Sequence, residues 1–140
     1  MAAYIPDRYI AEPRLKIEIY RRLSQANRLP QLTELDAELR DRFGPVPTPT
    51  RRMLNLRELN LRALSWRIEN IHLQDGYAIM RYGDSKLIRM LSHLHRGALK
   101  IVDSSDAYWP LKANEQDGAA VLDELLKTLS VAEPPMPETV

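Results

Sequence analysis

"RIENIHLQDGYAIMRYGD", residues 67–84, decides what kind of fold this chain has. Asp75-Gly76 sits between two runs in which apolar and polar residues alternate. Both central positions of the favoured hairpin turn need positive φ, so Asp-Gly in that setting is a strong local hairpin signal. Ile71 and Leu73 match in kind Ile79 and its neighbours across the turn. Before residue 66 the apolar residues recur instead at helical spacing. The expected class is therefore α+β: N-terminal helices followed by a small, mostly antiparallel sheet of about four strands packed with helices.

Working upstream, "AEPRLKIEIYRRLSQAN" places Pro13 as a first helical residue, where its missing N–H costs nothing. Leu15, Ile19, Leu23 and Ala26 line one face, and Glu18 and Arg22 stand four apart in the favourable order. "TELDAELRDRF" predicts a second helix, with Thr33 as N-cap and Asp36 three residues on. Its stripe is Leu32, Leu35, Leu39 and Phe43; Gly44 supplies a left-handed C′ residue and Pro45 prevents continuation. A third helix begins at Thr48-Pro49, buries Leu54, Leu61 and Leu64, and carries Arg57 and Arg62 on its outer surface.

Downstream, "DSKLIRMLSHLHRG" returns to helix, capped by Asp84 or Ser85 and stopped at Gly97. "LKIVDSSDAYWPLK" reads as two short strands around a Ser-Ser-Asp turn, and Pro110 suggests an edge position. A last helix, "AAVLDELLKTLS", turns Leu122, Leu125, Leu126 and Leu129 inward. The proline-rich residues 131–140 are expected to be a disordered tail. One domain is expected over residues 12–130, preceded by a linker over residues 1–11.

The composition excludes several classes. Without cysteine there is no disulfide framework, thiolate metal site or cysteine nucleophile. No apolar run nears the ~20 residues that cross a bilayer, and the N-terminus lacks the pattern of a secretory signal. A cytoplasmic, bacterial-type protein with no membrane partner fits. The formal net charge of +1 argues against a free-standing nucleic-acid binder. His93 and His95 are two apart on a predicted helix and cannot chelate one metal, and His72 lies on a strand. There is no glycine-rich phosphate loop and no nucleophile elbow. Asp123 and Glu124 are adjacent on a helix and diverge. The chain is expected to carry no catalytic residues, no metal and no cofactor.

One residue resists a local explanation. In "ELRDRFGPVP", residues 38–47, Asp41 stands in the last turn of a helix, where the dipole disfavours a negative charge. Glu34 and Asp36 are read as first-turn acids, and Glu38 pairs with Arg42 at i, i+4. Asp41 has no cation on its own helix. Its partner lies either elsewhere in the chain, with Arg51 and Arg52 closest in sequence, or on another module.

Ile5-Pro6, Tyr9-Ile10, Arg14-Leu15, Tyr20, Glu38-Leu39, Asp41-Arg42-Phe43-Gly44 and Pro47 together resemble the C-terminal domain of bacterial transcription-repair coupling factors (Mfd). The match is close over residues 4–70, and beyond them only the order of strands and helices agrees. Ala11-Glu12-Pro13 and Arg40 depart from the family pattern. The resemblance implies a non-catalytic regulatory domain of an ATP-driven double-stranded DNA translocase that engages stalled RNA polymerase. In that family the domain follows the motor and docks on a UvrB-like N-terminal module of the same chain. There it masks the surface for which UvrA competes, while RNA polymerase and DNA are bound by other domains. Carried over by position, the interdomain residues are Glu38, Asp41 and Arg42, and the partners of Asp41 would be arginines of the UvrB-like module.

The alternative is an accessory nucleic-acid-binding module using Arg51, Arg52, Arg57, Arg62 and also Arg67 along the third helix. The near-neutral charge and the lack of interleaved aromatics weigh against it. A small hydrolase built around the histidines has no supporting geometry.

Overall fold

Pro13 starts the first helix as its sequence position predicts, with the Glu12 carboxylate accepting from the Arg14 N–H. In the computed structural model, which describes residues 1–135, the chain divides into two compact units, Met1–Leu61 and Arg62 onward. The first holds α1 (Pro13–Gln25), α2 (Leu29–Phe43) and most of α3 (Thr48–Ser65).

α2 begins five residues earlier than Thr33 as N-cap would set it, at Leu29. Pro30 stands in its first turn, and the Gln31 side-chain oxygen accepts from the N–H groups of Asn27 and Arg28 at 2.8 and 3.0 Å. Those bonds satisfy the donors at the helix start, so Thr33 falls in the interior, with its hydroxyl toward the Leu29 carbonyl. Glu34 and Asp36 are consequently not first-turn acids. The helix ends where expected, at Gly44 with φ 87°.

The core of this unit joins Ile19 and Leu23 of α1, Leu32, Leu35 and Leu39 of α2, and Leu54 and Leu61 of α3. Residues 1–11 join it too, since Ile5 and Ile10 are each only 2% exposed. The Tyr9 hydroxyl lies 3.1 Å from the Leu39 carbonyl and 2.9 Å from that of Gly44. Buried Thr50 donates to the Tyr4 carbonyl, and the Tyr4 N–H donates to Pro49. Arg57 is not on an outer surface: its guanidinium donates twice to the Ala26 carbonyl, at 3.0 and 2.8 Å, satisfying the end of α1.

In the second unit β1 (Ile68–Gln74) and β2 (Tyr77–Tyr82) form the expected hairpin, with φ 52° at Asp75 and 80° at Gly76. Then come α4 (Ser85–Leu94), β3 (Lys100–Ile101), β4 (Asp106–Pro110) and α5 (Gly118–Leu129). The four strands pair antiparallel in the order β1-β2-β4-β3, an α+β arrangement as the sequence indicates. β4 is an inner strand, which corrects the edge position read from Pro110. Pro110 is its last residue, and β3, whose partners are Ala107 and Tyr108, stops short of it. The missing N–H therefore interrupts no ladder there.

Ala78, Met80, Tyr82, Ala107 and Trp109 form the buried face of the sheet. Trp109 donates its indole N–H to Glu124 of α5 and receives the edge of the His95 ring at 4.9 Å. His95 is also 2.7 Å from the Thr128 carbonyl, which gives this histidine a structural role. Trp66 is fully buried and donates to the Leu129 carbonyl at 2.9 Å. It takes the core place expected of Leu64, which is 59% exposed. Asp84 caps α4 through the N–H groups of Lys86 and Leu87, and Asp117 caps α5. Of the tail, residues 131–135 carry no helix or strand, and Glu133 pairs with Arg62 at 3.1 Å; the expected disorder over 136–140 lies outside the described residues.

Truncating Trp66 removes the largest fully buried side chain and leaves the Leu129 carbonyl without its donor. Trp66→Ala should therefore destabilise the chain by about 3–5 kcal/mol. Trp66→Phe, which keeps most of the volume, should cost about 1–3 kcal/mol, both read from chemical denaturation followed by circular dichroism.

Candidate functional site

α2 presents three acidic side chains to solvent over its last turns, and the structure treats each differently. Asp36, one position off the buried stripe, is gripped by Arg51 of α3 in a two-point contact, both distances 2.8 Å, with Arg40 at 3.4 Å. The hydrogen bonds from Arg51 hold its carboxyl below the ordinary aspartate range, against the opposing effect of burial. Arg51 is thus occupied inside this unit, and the cation nearest in sequence to Asp41 is spent on Asp36.

Glu38 lies one turn further along. Its Oε2 accepts from Arg22 of α1 at 2.6 Å and from Arg42 at 3.0 Å. The bond from Arg22, then that from Arg42, depresses its pKa. The i, i+4 contact with Arg42 is the one its spacing predicts. Arg22, expected to pair with Glu18, reaches instead across to α2. The Arg42 guanidinium also lies 4.9 Å over the Phe43 ring, so its position is fixed from two sides.

Asp41 differs from both. It is exposed, and among the described residues no Lys, Arg or His lies within ion-pair distance of it. Neither Arg51 nor Arg52 supplies the internal partner considered above, since Arg52 donates to the Ala2 carbonyl at 3.3 Å. Glu38, Asp41 and Arg42 stand at i, i+3 and i+4 on one helix, so the structure brings the three together on one side of α2. The patch offers a fixed carboxylate, a fixed guanidinium and an uncompensated carboxylate. That chemistry suits reciprocal ion pairing with another surface.

The arginines considered for nucleic acid have internal engagements. Arg51 holds Asp36, Arg57 caps α1, Arg52 touches the Ala2 carbonyl and Arg62 binds Glu133. Arg67, with φ 59°, closes α3 into β1 and accepts at its carbonyl from Gly83. Reasoning from sequence missed Arg22. The only available signal was its position beside Leu23 on the buried edge of α1, from which an arginine can reach a neighbouring helix. Among the described residues no three His, Asp or Glu side chains gather as metal ligands, and no helix is long and apolar enough to cross a membrane.

The TRCF domain family matches residues 1–91, which include all of α1, α2 and α3. Relatives named transcription-repair-coupling factor include one from Rickettsia prowazekii (strain Madrid E), 25% identical over 134 residues, covering 92% of this chain and 12% of the relative. Another, from Staphylococcus aureus (strain USA300), is 39% identical over 62 residues, covering 44% of this chain and 5% of the relative. The chain thus spans about a tenth of the length of such relatives. The crystal structure of a C-terminal domain of transcription-repair coupling factor superposes with a TM-score of 0.70 at 22% identity, covering 94% of this chain and 86% of that one.

Asp36 and Asp41 make distinct predictions. Asp36 has a depressed folded pKa, so its contribution is present above the ordinary aspartate range and is lost as pH falls through the folded value. Asp36→Asn should lower stability at neutral pH by about 1 kcal/mol and flatten the loss of stability between about pH 5 and pH 2. Asp41→Ala should change stability by no more than about 0.5 kcal/mol. Urea unfolding across pH checks both.

Proposed function

We propose a function from one premise: the chain belongs to the TRCF domain family. It acts as the regulatory C-terminal domain of a transcription-repair coupling factor, in the cytoplasm, and contributes no catalytic residue of its own. Its Glu38–Asp41–Arg42 patch docks on a UvrB-like module of the same protein. Docking covers the surface that UvrA would use and restrains the ATP-driven DNA translocase that the rest of such a protein forms.

The observation that carries this reading is the exposed Asp41, without an ion pair among the described residues, beside Glu38 and Arg42 held by internal contacts. A carboxylate near a helix C-terminus is disfavoured in the free domain and gains most from an arginine on a partner. Glu38 and Arg42 are already ordered by Arg22 and by the Phe43 ring, so docking loses less side-chain entropy than it would with mobile groups. Interdomain surfaces within a chain are commonly modest and polar, which suits a contact that must open.

Binding of this chain to the UvrB-like module of its parent tests the proposal. Wild type should bind weakly and saturably at low salt, and Asp41→Ala should bind about 3–10-fold more weakly, since a desolvated interface pair exceeds an exposed one. Raising the salt should shrink the difference. Equal binding by wild type and Asp41→Ala would remove the patch from the interface.

A further inference from the structure

The second unit carries a surface that this role does not use. On the side of the sheet opposite Trp109 and Met80, the strand register aligns side chains in rows across the strands. His72, Ile79, Tyr108 and Lys100 make one row across all four strands. Gln74, Tyr77 and Pro110 make the next, and Asn70, Arg81 and Asp106 the one on the other side. The Tyr77 and Tyr108 rings touch at 5.7 Å between centroids, and Tyr77 is 41% exposed. Ile79 between them is buried, so the rings lie on a packed base.

Among the strand residues of this face Arg81 and Lys100 are basic, and Asp106 is acidic and sits 3.9 Å from Arg81, a guanidinium that also interacts with the Asp103 carboxylate. Lys100 and His72, at opposite ends of the tyrosine row, have no ion pair among the described residues. Neighbouring strands lie about 4.8 Å apart, so the row is roughly 14 Å long. Exposed rings on a four-stranded sheet, flanked by cations and by the Asn70 and Gln74 amides, form a surface on which two or three unpaired bases can stack while the backbone meets positive charge.

We propose that this outer face binds single-stranded nucleic acid, with bases stacked on Tyr77 and Tyr108 and phosphates near Lys100 and Arg81. The occupant is single-stranded because rings lying along a sheet reach π-faces only where bases are unstacked, and two cations are too few to hold a duplex firmly. The surface lies wholly outside the Glu38–Asp41–Arg42 patch and outside α3, so the proposal stands apart from the docking role.

Fluorescence anisotropy with a labelled oligothymidylate of about 12 nucleotides, and with a duplex of equal length, tests it at about 50 mM salt. The oligothymidylate should bind saturably and more tightly than the duplex. The logarithm of the binding constant should fall with the logarithm of salt at a slope of about −1.4, that of two phosphate contacts. Tyr108→Leu should weaken binding about 10-fold while Tyr108→Phe stays within about 2-fold, since only the ring stacks. Circular dichroism checks that the variants fold, and if Tyr108→Leu does not, Tyr77→Leu at the more exposed ring gives the same reading. No saturable binding, equal affinity for duplex, loss-free leucine variants, or displacement by polyglutamate as efficient as by unlabelled oligothymidylate would each overturn the proposal. The last of these outcomes would mark an acidic protein surface as the ligand instead.

Discussion

The pairing of Asp36 with Arg51 settles how the charge of the first unit is distributed. A two-point contact between a carboxylate and a guanidinium takes both groups out of circulation, and it ties α2 to α3 near the Tyr9 hydroxyl and the Leu39 backbone. Burial, with the Asp36 charge adding to it, pushes the Tyr9 hydroxyl pKa up, so the phenol keeps its proton and goes on donating to the end of α2. With Arg51 committed, Glu38 draws on Arg22 and Arg42, and Asp41 is left facing water. Arg57 of the same helix turns inward to the Ala26 carbonyl, so it too is committed within this unit.

A contact made of such groups has a particular energetic character. Exposed ion pairs contribute about 0–1 kcal/mol each and weaken with salt, so a patch of three charges gives little affinity between separate molecules. Within one chain, linkage raises the effective concentration to about the millimolar range, and a weak contact can then hold a closed state that other ligands still shift. A large apolar face would bind more firmly and open less readily. The proposed docking therefore depends on the patch being polar, and on Glu38 and Arg42 being held in place before contact.

Much of this was legible in the residues themselves, and the exceptions have physical causes. The hairpin at Asp75-Gly76, the stop at Gly44 and the caps at Asp84 and Pro13 rest on local backbone demands that a short stretch states in full. The start of α2 did not follow from the strongest cap residue, because Gln31 reaching back to Asn27 and Arg28 competes with Thr33 and lies earlier in the chain. Pro110 was misplaced because a proline forbids a ladder bond only where a neighbouring strand extends to it, and β3 is two residues long. The family resemblance pointed to Glu38, Asp41 and Arg42, and their spacing puts them on one helix face. The choice of Arg22 for Glu38, and of Arg51 for Asp36, depends on which helices pack together, and no periodicity encodes that.

Side by side, Glu38 and Asp41 show why a patch is more than its sum of charges. Both are carboxylates on the same face of α2, yet Glu38 has two internal cations and Asp41 has none among the described residues. A partner arginine arriving at Glu38 competes with Arg22 and Arg42 for oxygens that already have donors, and gains little. The same arginine at Asp41 finds an acceptor with only water to displace, near a helix end whose own carbonyls also favour a cation. Arg42, held by Glu38 and by the Phe43 ring, would supply the complementary donor for an acid on the proposed partner. In the proposed docking the patch would be asymmetric: Asp41 would give it strength, and the Arg22–Glu38–Arg42 chain would give it geometry. A lysine in place of Arg22 would keep the charge and lose the planar fork that fixes Glu38, so the direction of the proposed docking would rest on an arginine that itself need not touch the partner.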